Sequence, residues 1–171
     1  GISPRALMKR VYESAVSYTK TFSEGSDSLL FMGATGLGKT FLSGCIARAV
    51  ADKGYSVCYV SAGKFFSDFE TEKFRLKEDG ALTGEYMETD LLIIDDLGTE
   101  MTTQFTVSAL YQVVNGRLLS GRPTIVSTNL PDSELEARYS AQIASRLLGA
   151  YTLYQFCGTD VRLLKKMESR M

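Results

Sequence analysis

The sequence predicts an α/β fold built on a parallel sheet, on three observations. Short apolar, β-rich segments alternate along the chain with longer segments of helical periodicity. The run Leu91-Leu92-Ile93-Ile94 is apolar at every position, which suits a strand covered on both faces rather than one half exposed to water. A glycine-rich turn, Gly33 to Thr40, falls between a strand-like and a helical segment.

Each element has its own local signal. Ser3-Pro4 reads as an N-cap followed by proline at the first helical position, and Leu7, Val11, Ala15, Tyr18 and Phe22 recur at helical spacing. Glu24 to Asp27 is a turn, and Leu29 to Met32 a short strand. After the glycine loop, Leu42, Ile46, Ala49 and Val50 line one face of a helix that Gly54 ends. Tyr55 to Ser61 reads as a strand, Ala62 to about Asp79 as a helix, and Asp90 to Asp95 as the central strand. A helix from Phe105 to Leu119, a strand from Pro123 to Thr128 and a helix from Asp132 to Leu148, capped at Asp132 or Ser133, follow. Tyr151 to Cys157 is the last strand, and Asp160 to Met171 a short charged helix.

At 171 residues the chain has room for one domain with a core. No apolar run approaches the roughly 20 residues of a membrane span. A net charge of -1 gives no bulk attraction to nucleic acid, so any such contact rests on local clusters of Lys and Arg. There is no His, which removes imidazole metal sites and His-based triads. Cys45, Cys58 and Cys157 are widely spaced, lie in apolar stretches and read as buried core residues, so the cytoplasm is the expected compartment.

The chemistry begins with Gly33-Ala34-Thr35-Gly36-Leu37-Gly38-Lys39-Thr40, an ungapped GxxxxGK[ST]. Glycines let the backbone curl so that its N–H groups converge on phosphate oxygens, and the following helix adds the positive end of its dipole. Lys39 can reach the β- and γ-phosphates, and the Thr40 hydroxyl can bind Mg²⁺. Phe41, the next residue, is grouped with the loop as a nucleotide contact. The strand Leu91 to Ile94 ends in Asp95 and Asp96. Beside such a loop, Asp95 would hold Mg²⁺ and Asp96 would polarise the attacking water, although Asp is shorter than the Glu common at that second position. Asn129, closing Ser127-Thr128-Asn129, is placed to orient water at the γ-phosphate. Arg146 is a candidate arginine finger reaching a neighbouring subunit's nucleotide, with Arg138 a second candidate. Arg162 is a candidate contact from the C-terminal side. The segment Lys64 to Lys77 interleaves Phe65, Phe66, Phe69 and Phe74 with basic residues, a pattern that binds single-stranded nucleic acid or serves as an ordinary amphipathic helix.

In their order these motifs resemble the AAA+ ATPases, and more specifically the DnaC/DnaI family of bacterial replicative helicase loaders. GATGLGKTFLSGCIA, LLIIDDLGTE, PTIVSTNL and RYSAQIASRLLG carry the resemblance, which runs from about Leu29 to Arg162. It implies a three-layer P-loop NTPase fold whose five-stranded parallel sheet has the order 5-1-4-3-2, with a reduced lid. It implies ATP with Mg²⁺, slow hydrolysis stimulated by assembly or DNA, and a role in DNA replication. The implied partners are a replicative DNA helicase, single-stranded DNA and further copies of the chain through a shared ATP site. Lys39 and Thr40 become the Walker A pair, Asp95 and Asp96 the Walker B acids, Asn129 sensor 1, Arg146 the finger and Arg162 a sensor-2-like residue. The segment around Phe65 to Lys77 falls where such loaders carry an extra helical element linked to DNA. On this reading residues 1–24 are a linker helix and 25–171 the ATPase domain of a longer protein whose N-terminal partner-binding domain is absent. IstB-like transposition helpers share the loop and the DDLG pattern. A small-metabolite kinase and a non-hydrolysing nucleotide-gated scaffold also stay open. An Arg-rich lid over the phosphates would mark the kinase, and phosphate release with and without DNA separates ATPase from scaffold.

Overall fold

The computed structural model describes residues 1–74 and 81–159. Its elements are α1 (Pro4–Thr21), β1 (Leu29–Met32), α2 (Lys39–Asp52), β2 (Val57–Ser61), α3 (Ala62–Phe74), α4 (Ala81–Glu88), β3 (Leu91–Leu97), α5 (Gln104–Leu119), β4 (Thr124–Thr128), α6 (Asp132–Arg138), α7 (Ala141–Gly149) and β5 (Thr152–Gln155). The five strands form one parallel sheet in the order β2-β3-β4-β1-β5. Read from the other edge this is 5-1-4-3-2, the expected order.

Strand alternation divides the core into two layers. Leu30, Met32, Leu92, Ile94 and Val126 face the side covered by α3 to α7, where they pack with Phe65, Leu110, Val113 and Leu147. Leu29, Phe31, Leu91, Ile93 and Ile125 face α1 and α2, where they meet Ala15, Phe22, Ile46 and Val50. All four residues of the Leu91–Ile94 run are fully buried, two on each face, as a central parallel strand requires.

Specific hydrogen bonds explain several element ends. The Ser3 hydroxyl accepts from the Ala6 N–H at 3.2 Å, so α1 starts at its sequence-predicted cap. The ammonium of Lys53 closes the other end, donating to the Thr19 and Lys20 carbonyls at 2.9 Å each. A reciprocal Thr103–Thr106 capping box starts α5.

Several expectations are corrected. The single helix expected from Asp132 to Leu148 is two, because Ser140 takes an extended backbone and caps α7 by accepting from the Ile143 N–H. Pro131, not Asp132 or Ser133, is the N-cap of α6, with no side-chain cap bond. Strand β5 is shorter than Tyr151 to Cys157, and β2 starts at Val57 rather than Tyr55. Helix α4 has no counterpart among the expected elements. At eight residues, with Thr83 and Gly84 in the middle, it is too short to hold alone, and tertiary contacts support it: Tyr86 packs on Phe65 and Phe69. Cys45 is exposed and Cys58 and Cys157 are half-buried, so none is the buried core residue expected. The helix expected from Asp160 onward, with Arg162, lies outside the described residues, as do Arg75 and Lys77. Among the described residues no helix is long and apolar enough to cross a membrane.

Candidate nucleotide-binding site

The glycine loop leaves the C-terminal end of β1, and its glycines are required for different reasons. At Gly33, φ is 151° and a Cβ would stand 2.5 Å from the Phe156 carbonyl oxygen. Phe156 is fixed there because its N–H donates to the Met32 carbonyl at 2.7 Å, so this glycine is demanded by the sheet. At Gly38, φ is 98° and the space beside it is open. The left-handed backbone there is what starts α2, and only the conformation demands glycine. Helix α2 begins with no side-chain cap and no acidic residue in its first turn. Its leading N–H groups are therefore available to an anion at the positive end of the helix dipole.

Lys39 is 7% exposed, and its ammonium lies inside the loop, donating to the carbonyls of Gly33 and of Ala34, the latter at 2.8 Å. Burial lowers its pKa, while Asp96 and Asp95 pull the other way. Ala34 and Thr35 are exposed, Gly36 and Leu37 half-buried, and Leu37 packs on the α1–α2 side of the core. Thr40 and Phe41 are exposed, Phe41 at 76%.

Asp95 is the centre of the site. Its carboxylate is 7% exposed and accepts from three hydroxyls. Thr40 Oγ1 and the Tyr59 phenol each donate to Oδ2 at 2.9 Å, and Ser127 Oγ donates to Oδ1. Asp96 is the one non-glycine with positive φ among the described residues, at 62°, and it is exposed. The β3–β4 register shifts between Ile94 and Leu97, so the two acids sit on a bulge. The bulge lets successive carboxylates leave the strand differently, one buried among hydroxyls and one in solvent. The Asp96 N–H donates to Ser127 Oγ at 2.9 Å, which ties the bulge to β4.

Asn129 is exposed directly after β4. Because β4 lies between β3 and β1, the sheet brings Gly33–Thr40, Asn129, Asp95 and Asp96 together at the C-terminal ends of adjacent strands. It does not bring Arg146 there. That residue lies on α7 and is held by α5 of its own chain: Nε donates to Asn115 Oδ1 at 2.8 Å, and the guanidinium lies 5.5 Å from the Tyr111 ring centre. Arg138 is also engaged within the chain, donating to the Glu100 carbonyl, and Tyr139 donates to the Glu100 carboxylate. These bonds join the loop after Asp96 to the end of α6.

Two residues of the cluster are not singled out by sequence reasoning. Ser127 belongs to the Ser127-Thr128-Asn129 motif, but only pairing of β4 with β3 shows that its hydroxyl meets Asp95. Tyr59 gives no signal beyond being polar at one end in a strand. The aromatic–basic reading of Lys64 to Lys77 is corrected at three positions. Phe65, Phe66 and Phe69 are core residues, 6% exposed or less, and cannot stack on bases. Lys64 pairs with Asp68 at 2.9 Å, and the Lys73 ammonium lies 4.3 Å from the Phe105 ring centre.

The donor set fits Mg²⁺. A hydroxyl and a buried carboxylate already within 2.9 Å are hard oxygen ligands, and Mg²⁺ takes one or two carboxylates with waters and phosphate oxygens. Among the described residues there is no cluster of three or more Cys, His, Asp or Glu that would suit an all-protein metal cage.

Comparison with known proteins places the chain among relatives of the same fold. Replicative helicase loader DnaC of Escherichia coli strain K12 is 26% identical over 135 residues, 78% of this chain and 55% of that protein. The chain thus spans about half the length of the curated relatives it matches. The crystal structure of a DnaC helicase loader superposes with a TM-score of 0.79 at 20% identity, covering 88% of this chain and 90% of that one. A replication initiator DnaA bound to AMPPCP and single-stranded DNA superposes at 0.74 with 22% identity, covering 92% of this chain and 50% of that one. The family model described as IstB-like ATP binding protein matches residues 8–157. The match takes in all five strands and the whole Asp95 cluster, and the chain belongs to the IstB-like ATP-binding protein family.

Proposed function

We propose that this chain is the ATP-binding and ATP-hydrolysing domain of a helicase loader, whose nucleotide state controls its hold on a replicative helicase and on single-stranded DNA. The observation that carries the ATP part is the 2.9 Å bond from Thr40 to Asp95, which joins the phosphate loop to the acid of the central strand. The helicase part is supported by the similarity to DnaC of Escherichia coli over 78% of the chain. The single-stranded DNA part is supported by the likeness in fold to a DnaA that holds AMPPCP and single-stranded DNA together.

The roles follow from position. The backbone of Gly33 to Thr40 and the Phe41 N–H bind the phosphates. Lys39 leaves the Gly33 and Ala34 carbonyls to neutralise the β- and γ-phosphates. Thr40 and Asp95 would hold Mg²⁺, which when bound offsets the charge that develops on the phosphates. Asp96, exposed on the bulge, polarises the attacking water, and Asn129 orients it. Arg146 serves the site of a neighbouring copy, so an isolated domain binds ATP well and hydrolyses it slowly. Arg162 would add a contact from the C-terminal side. With Phe65, Phe66 and Phe69 in the core, DNA contact falls to charged groups and should weaken steeply with salt.

Binding of a fluorescent ATP analogue tests the site: it should weaken about 100-fold in Lys39→Ala, and undiminished binding would sink the assignment. For the trans role, Arg146→Ala should lower hydrolysis in the assembled protein by about 10³-fold and leave binding intact. The second reading, a transposition helper, is favoured by the IstB-like family match. Co-purification of the full-length protein decides between them, with a helicase expected and a transposase overturning the loader reading.

A further inference from the structure

The Asp95 carboxylate is gripped from both neighbouring strands. Ser127, on β4, donates to Oδ1, and Tyr59, on β2, donates to Oδ2 at 2.9 Å. Thr40 donates to that same Oδ2 from the start of α2. Strand β2 is an edge strand, Tyr59 is 41% exposed, and its register partner on β3 is Ile93, two residues before Asp95. A tyrosine placed at a sheet edge only for packing would leave its hydroxyl to water. This one runs along the strand toward the C-terminal edge and spends its hydrogen on the central carboxylate.

The three donors are not equivalent. Thr40 is the one whose hydroxyl oxygen would also bind a metal ion, so its contact with Asp95 must readjust when the site fills. Ser127 and Tyr59 remain. Ser127 alone holds one oxygen and would let the carboxylate swing about its Cβ–Cγ bond, whereas a second donor on the other oxygen fixes its plane.

We propose that Tyr59 is a positioning residue for Mg²⁺: its phenol fixes the plane of the Asp95 carboxylate so that the metal meets an oriented ligand when the site fills. The proposal rests on the reading of Asp95 as the metal carboxylate. Partners that orient a metal's ligands in this way typically set affinity by tenfold or more.

The test is a Mg²⁺ titration of fluorescent ATP-analogue binding by the full-length protein, with Tyr59→Phe and Asp95→Asn beside the parent. Phe keeps the ring and its packing. The Mg²⁺ midpoint of Tyr59→Phe should rise about tenfold, with binding in EDTA and the melting temperature unchanged. Asp95→Asn should lose the Mg²⁺ dependence. If Tyr59→Phe titrates like the parent while Asp95→Asn loses the dependence, the positioning role is wrong and the metal site stands. Equal weakening of Tyr59→Phe binding with and without Mg²⁺ would also overturn it, since the phenol would then act on the nucleotide. An Asp95→Asn variant with an intact Mg²⁺ midpoint removes the metal reading and the proposal together.

Discussion

At the N-terminal ends of β3 and β4 the guanidinium of Arg117, on α5, is fully buried. At their C-terminal ends the Asp95 carboxylate is nearly so. Arg117 donates to the main-chain carbonyls of Tyr86, Met87, Thr89, Asp90 and Pro123 and to the Thr124 hydroxyl. These acceptors belong to the end of α4 and the starts of two strands. Burial lowers its pKa to about 10, which still leaves it charged at neutral pH. Asp95 is satisfied instead by three side-chain hydroxyls, and one of them, on Thr40, is exposed and borders an open loop. A backbone carbonyl cannot turn away, but a hydroxyl can rotate to a new partner. The first arrangement locks a charge for the fold, and the second keeps one ready for exchange.

Substitutions at the two ends should separate a role in the fold from a role in the site. The largest effect is expected at Arg117. Arg117→Met strips the shared donor from a ring of buried carbonyls and should lower stability in a urea melt by about 4 kcal/mol or more. A stable Arg117→Met that instead fails to bind nucleotide would reverse the assignment of the two ends. Next comes Lys39→Ala, which should weaken ATP-analogue binding by roughly 2–3 kcal/mol while changing stability by less than about 1 kcal/mol. Ser127→Ala should have a mixed effect, because its hydroxyl holds both Asp95 and the Asp96 N–H. About 1.5 kcal/mol of stability should go, and Mg²⁺-dependent binding should weaken more than binding in EDTA. The smallest change is expected at Asn115→Ala, which frees the Arg146 guanidinium from α5. Hydrolysis in the assembled protein should fall about fivefold, near 1 kcal/mol, with nucleotide affinity of the separate domain unmoved.

What the sequence made legible was whatever is written locally. The loop Gly33 to Thr40, the apolar run ending in Asp95, and the Ser3-Pro4 start of α1 are contiguous signals. The sheet order came from the resemblance those motifs carry. What stayed hidden depends on contacts between distant residues. Ser127 meets Asp95 through β3–β4 pairing, and Tyr59 meets it across β2–β3. Helix α4 is too short to be read from its own residues alone and is held by contacts with Phe65, Phe69 and Arg117. The phenylalanines of α3 were ambiguous because an amphipathic core helix and a base-stacking surface share one composition. Burial alone separates them.

The backbone at Asp96 has a practical consequence. Its left-handed conformation is one that Asn tolerates and Gly adopts without strain. Asp96→Gly therefore relaxes the backbone where it is bent and deletes the carboxylate in one step. On the role proposed for Asp96, this one substitution should give a folded form that loads nucleotide and stalls, usable as a trap that holds partner complexes for isolation.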